Sequence, residues 1–499
     1  MLPRVHRRIV IVIVLTLLLA GCGHSKHKTA APPKKPTGPP PPTQHFVSRP
    51  DLKPPPVKIL TAAHGTAPGY IFLAPKMKVV QAGPMIVDNR GQVVWFHPLD
   101  TKGIADFKVQ TYRGQRVLTW WRGHAPMGVG TGYYAVWDNT YHLIAKVRAG
   151  HGYAGDIHEF IITPRNTALF TVYHQLHVDL SAYGGPKEGR IYDGIVQEVA
   201  IPSGRVLFEW HSYPEVGLDE SYTPAPKEPA SGRAAPWDYF HINSIDLERN
   251  GNYLVSGRNT RAVYEISRRT KKVVWRLGGK KSDFDMGTGT TFAWQHDVRR
   301  QRNGMITIFD NGAAPPVEQF SRILVLRVDT ATKKATLVRS YQHPKEFLVP
   351  FEGNAQFLPN GHVFVGWGAV PYYSEFDGNG RLVFDAYFGK GTAKVTGANQ
   401  DADSYRAYRF VWHGFPTNHP AVKIKDGKLY VSWNGATEVT RWNVLAGNAN
   451  DDVALIASVR KTGFETAIPF RSKARFVLVE AIGRSGNTLG ASITIDRRG

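Results

Sequence analysis

One short pattern recurs along this 499-residue chain and restricts what it can fold into. Asp106-Phe107-Lys108, Asp156-Ile157-His158, Tyr239-Phe240-His241, Trp294-Gln295-His296 and Glu352-Gly353-Asn354 each open a segment of strand-like runs, and Trp412-His413 is a sixth candidate. The third residues fall roughly 55 residues apart, with one interval of about 83. Each segment holds an inner pair of strand-like runs and then an outer pair. Such a unit cannot bury both of its faces alone, so it must stack against copies of itself.

Four strands at that period predict an all-β chain, a six-bladed β-propeller over residues 61–499. The composition agrees, with 49 glycines and 11% aromatic residues in a chain that is 42% hydrophobic. Asp88-Asn89-Arg90-Gly91 separates two β-rich runs as a tight turn should, and Asp377-Gly378-Asn379-Gly380 reads as another hairpin turn rather than a calcium loop. Runs near 70–96 and 476–495 are expected to share a blade and close the ring. The long interval contains a proline-rich stretch, 211–237, which reads as an inserted loop and a candidate wall of the pocket. The innermost strand of each propeller blade faces the central channel. Lys108, His158, His241, His296, Asn354 and His413 should therefore surround one opening.

The N-terminus bears Arg4, Arg7 and Arg8, then an apolar run ending in Leu19-Ala20-Gly21-Cys22. That is the layout of a secretory signal, too short to span a bilayer comfortably. Its last four residues resemble the bacterial lipobox, which implies a lipoprotein signal peptide over 1–22, acylation of Cys22, and a protein anchored in the bacterial cell membrane facing the extracytoplasmic side. Cys22 is the only cysteine, so a mature fold beyond it has no disulfide and no thiolate chemistry. Residues 23–60, rich in Lys and Pro, read as a disordered tether. The net charge of +22 favours anionic ligands. No zinc-finger spacing, basic helix or aromatic RNA-binding signature accompanies it, so no nucleic-acid partner is expected. Nothing in the sequence fixes an oligomeric state.

Within the repeats, Asp238-Tyr239-Phe240-His241-Ile242-Asn243 followed by Ser256-Gly257-Arg258, Trp294-Gln295-His296-Asp297, Phe309-Asp310-Asn311-Gly312 and Leu358-Pro359-Asn360-Gly361 resemble the bacterial arylsulfotransferase family. The likeness covers most of 46–390. It implies sulfuryl transfer from a phenolic sulfate donor to a phenol acceptor without a nucleotide cofactor, by way of a transiently sulfated channel histidine. Carried onto this chain, it makes His241 and His296 the catalytic candidates, with His158, Lys108, Asn354, Arg258 and Arg322 binding substrate. Two departures stand out. The repeat alignment sets Asn354 where the family has its sulfated histidine. The arginine expected after Asp-Asn-Gly is replaced by Ala313-Ala314-Pro315, leaving Arg322 or Arg258 to substitute. Two other classes also fit the residues. One is a lipid-anchored propeller that binds an anionic or aromatic ligand. The other is a metal-dependent propeller hydrolase using His158, His241 and His296, with Asp156, Glu159 and Asp297 flanking them but facing away from the channel.

Overall fold

The computed structural model describes residues 40–227, 234–390 and 401–497. The chain divides into two units, Met1–Pro40 and Pro41–Gly499. The signal-like segment, Cys22 and the first part of the expected tether lie outside the described residues. Among its described residues the second unit is all-β apart from three short 3-10 turns.

Its described strands include six antiparallel four-stranded meanders, two of which carry a fifth edge strand. The first runs Ile104–Tyr112, Gln115–His124, Thr131–Trp137, Leu143–Val147, and the second Phe160–Ile162, Thr167–His177, Arg190–Ala200, Val206–His211. The third runs Ile242–Leu247, Tyr253–Gly257, Ala262–Ile266, Val273–Gly278, and the fourth His296–Arg300, Ile306–Asp310, Arg322–Asp329, Lys334–Gln342. The fifth is Asn354–Phe357, Val363–Gly366, Tyr372–Phe376, Leu382–Tyr387. Each sheet touches the next in order, and the sixth returns to the first.

Apolar burial explains this order. Separate clusters of buried side chains fill the spaces between sheets one and two, two and three, three and four, four and five, five and six, and six and one. Strands such as Ala262–Ile266 and Tyr372–Phe376 are buried at every position because each sheet is covered on both faces. The turns form as their residues dictate. The Asp88 carboxylate accepts the N–H of Arg90 at 2.8 Å and of Gln92 at 2.9 Å, and Gly91 takes the positive φ. Asp377 does the same for Asn379 and Arg381, both at 2.9 Å, so this loop is the expected hairpin turn.

The sixth sheet differs from expectation. Its innermost strand, Ala407–Phe410, comes from the C-terminal side and pairs with Tyr70–Leu73, followed by Met85–Val87 and Val93–Phe96. Phe476–Ile482 instead pairs with Arg441–Ala449 in a separate sheet. That sheet lies with Ala421–Lys425, Lys428–Ser432 and Glu465–Pro469 over a core of Trp442, Val444, Ile468, Val477 and Val479. Burial pattern separates the two cases: Phe476–Ile482 alternates between buried and half-exposed positions, as a two-layer sandwich requires, whereas Met85–Val87 is buried throughout. Residues beyond about 420 are thus a distinct β-structure, not part of the ring as the span 61–499 had it.

The expected tether is also shorter than 23–60. Lys58–Thr61 joins the outer edge of the fifth sheet, Leu52, Pro54 and Pro55 are buried, and Phe46 packs on Phe464 with ring centroids 4.3 Å apart. The proline content there suits an extended edge segment that needs few backbone donors.

Candidate functional site

A cavity of about 670 Å³ opens where the innermost strands of the second, third and fourth sheets begin. His158 precedes Phe160–Ile162, His241 precedes Ile242–Leu247, and His296 starts its own strand. All three line the cavity, with Arg258, Asp238 and Trp121. His241 has φ of 53°, in the left-handed region that non-glycine residues seldom adopt. It is held there by the N–H of Arg258, which donates to the His241 carbonyl at 3.0 Å. Such conformations persist where surrounding structure enforces them, and they are common at functional sites.

Each imidazole is fixed through Nδ1. His158 Nδ1 lies 2.6 Å from Asp156 Oδ2, and that carboxylate also accepts the His158 N–H and the Thr171 hydroxyl, both at 3.0 Å. His241 Nδ1 is bonded to Asp238 Oδ2. His296 Nδ1 lies 2.7 Å from Asn311 Oδ1. The Asn311 amide nitrogen donates to the carbonyls of Val349 at 3.1 Å and Glu352 at 3.0 Å, so its oxygen must face His296. His296 therefore carries its proton on Nδ1 and a lone pair on Nε2, which meets only a long 3.3 Å hydrogen bond from the Glu352 N–H. The rings of His158 and His241 meet edge to face at 4.8 Å.

Electrostatics keeps two of these rings neutral. Burial lowers the His296 pKa well below the usual imidazole value, and Arg258 adds to this. Burial also lowers His241, against the pull of Asp238. Arg258 brings a cation to the site. It donates to Asn259 Oδ1 at 2.9 Å and the Pro350 carbonyl at 3.3 Å, and lies over Trp294 at 5.0 Å. No described carboxylate lies within 4.0 Å of it. Burial brings its pKa down to about 10, which leaves it charged at neutral pH.

Three of the expected binding residues are elsewhere. Lys108 is buried against Asp106 at 2.7 Å and Glu159 at 3.1 Å, within a cluster completed by Arg299, Arg406 and Asp297. Its ammonium is spent on this network and does not line the cavity. Arg322 pairs with Asp310 at 3.1 Å and also lies off the cavity. Asn354 is fully buried: its amide nitrogen donates to the Ala407 carbonyl and its oxygen accepts the Ala407 N–H, each at 2.9 Å. It joins the fifth sheet to the sixth and leaves nothing for a ligand. Asn354→Ala should lower stability by about 2–4 kcal/mol, because both Ala407 groups would be left buried and unpaired. The free energy from chemical denaturation measures this.

Three further readings change. His413 is exposed and pairs with Glu438 at 2.8 Å, outside the cavity. No described residue of 211–237 lines the cavity; Val216, Leu218, Ala225 and Trp237 pack on the flank of sheets two and three instead. The long interval owes its length equally to the 11-residue strands Thr167–His177 and Arg190–Ala200. Asp156 faces His158 rather than away from it, while Glu159 and Asp297 join the charged cluster. Among the described residues no group of three His, Cys, Asp or Glu side chains has the spacing of a metal site.

Sequence reasoning missed Asp238, Lys76, Asp403 and Tyr405, all of which line the cavity. Asp238 had a signal, standing three residues before His241. Lys76, in Pro75-Lys76-Met77, had none.

A family model described as Arylsulfotransferase (ASST) matches residues 108–389, a little over half of the chain. No curated relative matches. Among solved structures, a protein of unknown function from Bacteroides caccae aligns over 68% of this chain and 98% of its own at 13% identity and a TM-score of 0.40. A periplasmic gluconolactonase of Pseudomonas aeruginosa aligns over 81% and 99% at 9% identity and 0.35. Virginiamycin B lyase of Staphylococcus aureus, with quinupristin, aligns over 76% and 97% at 7% identity and 0.34. Likeness at that level assigns no activity.

Proposed function

Since the chain belongs to the arylsulfotransferase family, we propose that its cavity transfers a sulfuryl group from an aryl sulfate to a phenol within a six-bladed propeller ring. The observation that carries this reading is the joint presence of a half-buried arginine with no described carboxylate within 4.0 Å and a neutral imidazole whose Nε2 meets only the long hydrogen bond from the Glu352 N–H. Arg258 is suited to hold sulfuryl oxygens as charge develops on them. Trp121, Phe351 and Tyr405 supply aromatic walls for the two rings.

His296 is the nucleophile in this reading. Its Nδ1 partner is a neutral amide, whose pull towards protonation is outweighed by burial and by Arg258. Nε2 attacks sulfur, the sulfur–oxygen bond to the donor ring breaks, and a phenolate leaves. The acceptor phenol then attacks the sulfur of the sulfated histidine and loses its proton to His241 Nε2, with Asp238 stabilising the imidazolium. The nitrogen–sulfur bond breaks and His296 returns to its starting state. His241 passes its proton to the departed phenolate, which completes the balance. His158 packs its ring against that of His241. Asn354 poses no obstacle to the covalent route, since it does not occupy the nucleophile's place.

Incubation with 4-nitrophenyl sulfate and phenol tests the reading. The expected result is release of 4-nitrophenol with stoichiometric phenyl sulfate; hydrolysis to free sulfate, or no turnover, would overturn it.

A further inference from the structure

The turn that brings Arg258 to the cavity carries a second arginine that the transfer step does not use. It joins two strands of the third sheet, Tyr253–Gly257 and Ala262–Ile266, and the Arg261 N–H closes it on the Arg258 carbonyl at 3.1 Å. Arg261 has φ of 49°, a left-handed conformation that a non-glycine residue keeps only where its surroundings enforce it. Arg258 and Asn259 line the cavity, so Arg261 stands at its edge.

The Arg261 guanidinium is held by two aromatic rings, over Tyr222 at 4.1 Å and over Trp294 at 4.2 Å. Tyr222 is itself fixed: its N–H donates to the Asn259 carbonyl at 2.8 Å, and the Lys280 ammonium lies over its ring at 5.1 Å. Among the described residues the Arg261 side chain makes no hydrogen bond and no ion pair. Its Nε is enclosed, but its two terminal nitrogens are open to solvent. A guanidinium placed by stacking keeps its edge free, and that edge is a planar fork of N–H donors matched to an oxyanion.

Charge points the same way. No described carboxylate lies within 4.0 Å of Arg258, Arg261 or Lys280. Trp294 carries both arginines, with Arg258 over its ring at 5.0 Å. Burial lowers the Arg258 pKa, against Asp238, and the positive charge of Arg261 adds to this lowering. Like charges held together in this way are relieved by an anion from outside the chain.

We propose that Arg261 is a second oxyanion anchor, selecting donors whose aryl sulfate ring bears a further anionic group such as a carboxylate. The inference rests on the transferase reading for its place in the reaction: Arg258 holds the sulfuryl oxygens, while the terminal N–H groups of Arg261 donate to the carboxylate at the cavity edge. Arg261 sorts donors and takes no part in the making or breaking of bonds.

The test compares 3- and 4-carboxyphenyl sulfate with the matching carboxamides as donors, with phenol as acceptor. In the unmodified protein kcat/KM should favour the better carboxylate over its carboxamide roughly tenfold, mostly through KM. Arg261→Gln should bring that ratio towards one, whatever it does to the overall rate. Tyr222→Leu, which removes one stacked ring and leaves the charge, should lower the ratio less. No preference for either carboxylate, or a preference unchanged in Arg261→Gln, would overturn the anchor. If no donor loses its sulfuryl group to phenol, the transferase reading fails by itself and calorimetric binding of the same sulfates decides the anchor. Tighter binding of a carboxylate than of its carboxamide, weakened by Arg261→Gln, supports it; equal binding, or a preference kept in that variant, removes it.

Discussion

His296→Ala should lower the turnover of 4-nitrophenyl sulfate by at least about 10³-fold, a loss in the range seen when a nucleophile is removed. The expectation follows from the hydrogen bonds. Asn311 fixes the Nδ1–H tautomer, and the two carbonyls that hold the Asn311 amide prevent it from turning. Nε2 thus carries a lone pair without prior loss of a proton, and only the long 3.3 Å hydrogen bond from the Glu352 N–H meets it. Burial keeps His296 and His241 below the usual imidazole pKa of about 6.5, so activity should persist below that pH and fall only at lower pH, as the rings become protonated. Stopped incubation with donor alone should give a sulfated peptide containing His296. A variant His296→Ala that retains normal turnover, or a label on another histidine, would move the nucleophile elsewhere.

The second large effect concerns stability. Lys108, Arg299 and Arg406 face Asp106, Glu159 and Asp297 in one buried cluster, with Glu159 contacted by all three cations. Glu159→Gln leaves one positive charge without compensation and should destabilise the fold by about 3–5 kcal/mol, the usual cost of breaking a buried pair. The acid dependence has a definite sign. Burial opposes ionisation of Glu159, but Arg299, Arg406 and Lys108 outweigh it and hold the carboxyl far below the ordinary range. A depressed folded pKa contributes its full stability above the unfolded value of about 4.3 and loses it as pH falls towards the folded value. The difference between the unmodified protein and Glu159→Gln should therefore be constant from neutral pH to about pH 5 and shrink below that. Urea midpoints across this range measure it; a difference of under about 1 kcal/mol at neutral pH would show that the cluster relaxes around the loss.

Much of the ring was legible because its strands repeat and its turns carry specific residues. The all-β class, the hairpins and the convergence of His158, His241 and His296 follow from spacing. Side-chain direction was less legible, because the repeats do not share one backbone path. Asp106, Trp294 and Glu352, each the first residue of its segment, have positive φ, whereas in the third segment that conformation falls on His241, the third residue. Aligning the segments by sequence therefore set His241 beside Asn354, two residues from Glu352, the residue that shares its backbone conformation and lines the cavity. Asn354 instead resembles Asn243 in use: Asn243 donates to the Gln295 carbonyl of the next sheet at 2.6 Å, as Asn354 does to Ala407. A polar residue on an innermost strand can serve the neighbouring sheet as readily as the opening, and spacing does not separate the two. The fate of Lys108 depended on Glu159, from the next sheet, and on Asp106, which lies within a register shift between Ala105 and Lys108. The closing sheet was misassigned because alternation alone does not name a partner strand.

The composite sixth sheet sets an order of events during synthesis. Tyr70–Leu73, made early, has no inner partner until Ala407–Phe410 has been made. Until then a growing chain carries a bare strand edge and cannot complete the circle. The arrival of that late segment also delivers Arg406 to Glu159 and Asp106. Completing this sheet and balancing those charges therefore wait for the same segment.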